Sequence, residues 1–189
     1  MPRHTICAYA DQAEHGAGPA LISDGTQGLL TGHHMIPDHC FYYTGGLRGK
    51  GDLSYFLCPD VVGYTTGSAP VIIVEADKTG GKSHEHGRIH SLFDVNESIA
   101  ARANSNANEW TYANARAVAV SSVRNCITLY SEAELIDILD SYYKGECGII
   151  DGTLLRAGEH GSMKTKPTAR KSKRTAAKVK KYVPRFSPF

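Results

Sequence analysis

The chain has 189 residues, of which 41% are hydrophobic and 21% charged, enough for one domain with a tail and for a buried core. No run approaches 18 apolar residues, so a membrane-spanning helix is excluded. The net charge of +2 hides a split: residues 163–189 carry ten Lys or Arg and no acid, leaving 11 basic against 19 acidic residues, about −8, before them. Bulk charge therefore excludes the body, but not the tail, as a binder of polyanions.

Met1-Pro2-Arg3-His4 leads into no apolar stretch, so no Sec-type signal peptide is expected. Cys7, Cys40, Cys58, Cys126 and Cys147 form an odd set without a C-x-x-C spacing. They point to neither a disulfide framework nor a zinc ribbon, and they suit a reducing compartment.

Residues 1–30 are rich in Gly and Ala, as in Gly16-Ala17-Gly18-Pro19, and read as an irregular arm with at most a short strand. Residues 29–36 read as a strand or turn that stops near Ile36, since Pro37 cannot sit mid-sheet. Residues 44–69, with Gly45-Gly46, Gly49, Gly51 and Gly67, read as a long surface loop. Pro70-Val71-Ile72-Ile73-Val74-Glu75-Ala76 is the clearest strand, a β-branched run opened by proline. Asp77 through Lys82 is a turn. Ser83 is placed to cap a helix through Phe93, although Gly87 costs that helix about 1 kcal/mol relative to Ala. A bound metal would offset that cost. Residues 97–124 are Ala-rich and read as helical, with Trp110 and Tyr112 as core residues. Ser131-Glu132-Ala133-Glu134 has the form of a capping box; Leu135, Ile138, Leu139 and Tyr142 make the apolar stripe behind it, and Gly145 is the stop. Beyond residue 160 the tail reads as solvated chain. There Lys171, Lys173, Arg174, Lys178, Lys180 and Lys181 are candidate nucleic-acid contacts, since phosphate binding needs only positive charge.

Nine histidines are present, and most of them cluster. His86 and His90 are four apart, which places both imidazoles on one helix face, within reach of a single divalent ion. His33 and His34 are adjacent, so on a strand they face opposite ways. One can turn to a metal and the other to a water. The bland reading is two sets of exposed surface histidines. His84 is a substitute ligand for His86. His39 and Cys40 are candidates for a structural zinc site. Glu85 reads as a solvated helix residue, with a supporting contact to a ligand as the lesser reading.

The order His33-His34-x-x-Pro37, loop, β-branched strand, turn, His86-x-x-x-His90 resembles the ββα-metal (His-Me finger) motif of HNH and endonuclease VII nucleases. Thr31-Gly32-His33-His34 and Ser83 through His90 are similar to the GHH-type toxin branch of that superfamily. The resemblance covers residues 31–95. It implies an α+β fold with the nuclease domain over 31–160, further helices behind the motif, an arm at 1–30 and a basic tail at 161–189. It also implies a metal-dependent endonuclease that cuts DNA with little sequence specificity. His33, His86 and His90 would hold one divalent ion (Zn, Mg, Mn or Ni), and His34 would be the general base that activates water. Arg88, beside these ligands in sequence, is a candidate to hold the scissile phosphate, with an exposed helix arginine as the equal reading. The motif's middle Asn is absent between residues 35 and 95, and Asp77 is the nearest substitute for its bracing role. The branch further implies an antibacterial toxin, such as a type VI secretion effector, cytoplasmic in the producer, delivered into target cells and matched by an immunity protein. The rival expectations are a ribonuclease on the same motif and a non-catalytic, zinc-stabilised DNA-binding protein.

Overall fold

The structure, a computed structural model, describes residues 3–42, 57, 58, 60–77, 84–103 and 110–157. Most of the expected loop 44–69, the turn 78–82, the capping Ser83, the boundary at residue 160 and the basic tail with Lys171, Lys173, Arg174, Lys178, Lys180 and Lys181 lie outside the described residues.

The fold is α+β. Strands β1 (Ile6–Ala8), β2 (Gly18–Leu21), β3 (Gln27–His34) and β4 (Pro70–Ala76) form one antiparallel sheet in the order β1-β4-β3-β2. Helices α1 (Glu85–Ala103), α2 (Tyr112–Arg124) and α3 (Glu132–Tyr143) follow. Residues 1–30, expected as an irregular arm, instead supply both edges of the sheet. The gain is backbone pairing that an arm would have to seek from water.

β4 is central, and every one of its residues is buried. Ile72 and Val74 point into the main core under the helices, whereas Val71 and Ile73 pack with Cys7, beneath Tyr9, Ala17 and Leu30. A strand covered on both faces has no reason to alternate with polar residues, which is why its sequence is a continuous apolar run. Pro70 is tolerated because it stands at the first position.

α1 packs Ile89 and Phe93 against the sheet. The stretch expected as one helix over 97–124 is two elements. Trp110 accepts from the Leu155 amide at 2.8 Å, and the Tyr112 amide donates to Thr153 at 2.9 Å, so the backbone there is paired with the C-terminal segment and not with a helix. Thr111 and Asn114 then form a capping box that starts α2. Trp110 and Tyr112 are core residues as expected, 1% and 0% exposed. The box at Ser131 and Glu134 caps α3 as the sequence predicts. Phe41, Tyr64 and Tyr143 stack in the centre, with Phe41 4.2 Å from Tyr64 and 4.9 Å from Tyr143.

Asp140 on α3 ties α2 to α3. Its carboxylate accepts from Tyr112 Oη at 2.8 Å and from Arg116 Nη1 at 2.5 and 2.6 Å, and it pairs with Lys144 at 2.9 Å. Burial works against this carboxylate, but the hydrogen bonds from Arg116, Lys144 and Tyr112 together hold it below its ordinary range. Asp140→Asn is expected to cost about 1–3 kcal/mol near neutral pH, as judged from urea melts. A depressed pKa stabilises the fold above the unfolded value of about 3.9 and ceases to do so as pH falls through the folded value. The gap between wild type and variant should therefore narrow in melts below that pH.

Candidate metal centre

Register sets the site. His33 pairs with Ile72, and opposite residues of an antiparallel pair share a face, so His33 points to the helix side of the sheet. His34 pairs with Val71 and points to the other side. α1 lies across the first face and presents His86 and His90 from successive turns. The His33 ring is 4.5 Å from that of His90 and 5.1 Å from that of His86, and the two helix rings are 4.7 Å apart. One donor nitrogen from each of the three lies within 4.8 Å of the others.

His33 is 1% exposed, and neither of its ring nitrogens has a hydrogen-bond partner. A polar group buried without a partner costs about 1–3 kcal/mol, and none of the described residues offsets it. A divalent ion would do so, and the three donors are grouped closely enough to hold one. A modest inward movement of the rings brings them to the span set by Zn–N bonds of about 2.0–2.1 Å. The rings are also held in the ligating form. Burial pushes His33 well below the usual histidine value, reinforced by His90 and His86. Burial lowers His86, and His34 adds to that effect. Burial pushes His90 down to about 4, with His86, His39 and His34 contributing. Neutral imidazoles bind metal without first losing a proton.

On the opposite face, His34 stacks on Tyr9 with ring centres 4.6 Å apart. Its Nε2 lies 3.2 Å from the Thr66 carbonyl oxygen. A carbonyl only accepts, so in a neutral ring this contact puts the proton on Nε2. Thr66 is itself fixed: its hydroxyl donates to Asp38 at 2.9 Å, and Tyr64 Oη donates to the same carboxylate oxygen. Asp38, Tyr64, Thr66 and Tyr9 were not among the sequence candidates. Only the place of Asp38, directly after Pro37, hinted at a role.

The other candidates fall elsewhere. Arg88 is exposed, two residues from each helix histidine and so on the far side of α1; it sits near enough to Cys126 to favour that thiolate. Asp77 follows Ala76, the partner of Leu29 and four residues beyond Ile72. At about 3.3 Å per residue, that is more than 13 Å of strand from the His33 pair. A carboxylate joined to His34 through Thr66 is that of Asp38. Glu85 is buried, not solvated. It takes Arg3 Nη2 at 2.6 Å, His4 Nε2 at 2.9 Å and the Glu75 amide at 3.1 Å. His84 stands 4.0 Å from the Asp24 carboxylate, outside the triad.

Scanned against protein-family models, curated proteins and solved structures, the chain matches none of them. His86→Ala and His90→Ala are each expected to lower the zinc stoichiometry measured by titration calorimetry by one equivalent per chain. His84→Ala is expected to leave it unchanged.

Proposed function

We propose that this chain is a metal-dependent endonuclease that hydrolyses DNA phosphodiester bonds with little sequence specificity. The observation that carries this reading is His33, buried with both ring nitrogens unpartnered and facing His86 and His90, while its neighbour His34 emerges on the other face of the strand. β3, β4 and α1 follow one another as two paired strands and a helix. That order supports the resemblance to the ββα-metal motif drawn from the sequence.

His33, His86 and His90 would hold a divalent ion, which would supply charge neutralisation of the phosphate and of the departing 3′-oxygen. His34 acts on the water. As general base it takes a proton from the attacking water. The resulting hydroxide bonds to phosphorus, and the bond from phosphorus to the leaving oxygen breaks. Asp38 serves as the brace, through Thr66, in the part the motif gives to Asn. No covalent enzyme intermediate is required. The tail lysines and arginines draw the polyanion to an otherwise acidic body. On the same resemblance the protein is an antibacterial toxin of the secreted-effector kind, and the producing cell holds an immunity protein against it.

Purified chain is expected to nick and linearise plasmid DNA when divalent metal is present and to stop on addition of EDTA. His34→Ala should slow cleavage by about 10²–10⁴-fold, the usual weight of a general base, with zinc stoichiometry unchanged. Intact plasmid with every metal, beside degraded RNA, would move the substrate to RNA. Both intact would overturn the nuclease reading.

A further inference from the structure

A second group of donors lies further along the same helix. His39 and Cys40 sit in the short 3-10 turn Asp38–Phe41 that follows β3, and Glu97 lies on α1. His39 Nε2 is 2.9 Å from Glu97 Oε1, and Cys40 Sγ is 3.6 Å from the same oxygen. All three donor atoms fall within 4.8 Å of one another. Donors on one tetrahedral zinc, at bonds of about 2.0–2.3 Å, stand roughly 3.3–3.8 Å apart, so the spacing is already close. Cys40 and Glu97 are 0% and 4% exposed, while the half-buried His39 keeps a route from solvent.

Trp110 provides an independent observation. It is 1% exposed, and its indole N–H meets no hydrogen-bond acceptor. Burial and the neighbouring Glu97 push the Cys40 thiol well up, and Trp110 is a neighbour that works the other way, which places the indole beside this cluster. A neutral thiol is a weak acceptor and leaves such a donor unsatisfied. A metal-bound thiolate accepts it, in the way that outer hydrogen bonds support metal ligands generally.

We propose that His39 Nε2, Cys40 Sγ and the Glu97 carboxylate form a second cation site, structural in role, for a borderline-soft divalent ion such as zinc. Binding exchanges the thiol proton for the ion, and the proton leaves to solvent; nothing is oxidised. Water fills the fourth position. Glu97 is seven residues beyond His90, about 10 Å along the helix, too far for the two ions to share one phosphate, since paired catalytic metals stand about 3.5–4 Å apart. The work of this site is mechanical. It fastens the turn after β3, the strand that carries His33, to α1, which carries the helix histidines. It stands whether or not the chain is a nuclease.

Cobalt(II) titration of the full chain tests it, because a thiolate ligand gives a near-ultraviolet charge-transfer band that imidazoles do not. Wild type is expected to bind two equivalents, with the band saturating at one. His86→Ala should keep the band and lose the other equivalent. Cys40→Ser should lose the band. Wild type saturated with cobalt and lacking the band overturns the proposal, as does a band that survives in Cys40→Ser. If Cys40→Ser does not fold, Glu97→Gln decides. It is expected to weaken the band-forming equivalent by about tenfold or more and to leave the other untouched. Unaltered affinity overturns the proposal.

Discussion

The pairing of β3 with β4 is the constraint on which the site depends. His33 against Ile72 and His34 against Val71 send adjacent imidazoles to opposite faces, one buried beneath α1 and one beside Tyr9. A slip of one residue would exchange them and bring the wrong ring under the helix. Two glycines of β3 hold the pairing in place. A Cβ on Gly28 would stand 2.7 Å from the Ala76 carbonyl oxygen, and one on Gly32 would stand 2.8 Å from both Gln12 and Val71. Neither position accepts a side chain from a shifted strand. Gly32 also lets its own amide donate to Gln12 Oε1 at 2.8 Å, which draws the chain before β2 against the strand just ahead of His33.

The start of α1 is set by charge. Glu75 and Glu85 are both buried, and two carboxylates so placed would repel one another. Arg3 reconciles them, reaching Glu75 at 2.9 Å and Glu85 at 2.6 Å, while the Glu75 amide donates to Glu85. Ser23 adds its amide and its hydroxyl to Glu75. The buried charges are thus paired and hydrogen-bonded, the condition under which burial is tolerated. Because Glu85 directly precedes His86, the same network fixes the helix at the point where its ligands begin.

Much of this was legible in the sequence where local patterns decide the outcome. β4 announced itself through its β-branched run and its proline, α3 through its capping box, and the His86/His90 pair through helical spacing. What escaped was decided by residues far apart in the chain. Nothing local marks residues 6–8 as a partner for β4, or Arg3 as the counterion of two glutamates. Glu85 read as solvated because its neighbours are polar, and its burial follows from the docking of the N-terminal residues. Arg88 stands two residues from each helix histidine in sequence but on the other side of α1. Asp38, directly after Pro37, reaches Thr66 by a fold of the chain.

The edges of the sheet limit how the protein can meet others. β1 offers three residues and β2 four, and β2 carries Pro19, which has no amide to donate. Short edges interrupted by proline are poor templates for an added strand. A partner that covers this protein must then grip side chains and loops, and its selectivity will reside in surface chemistry, not in a shared backbone ladder.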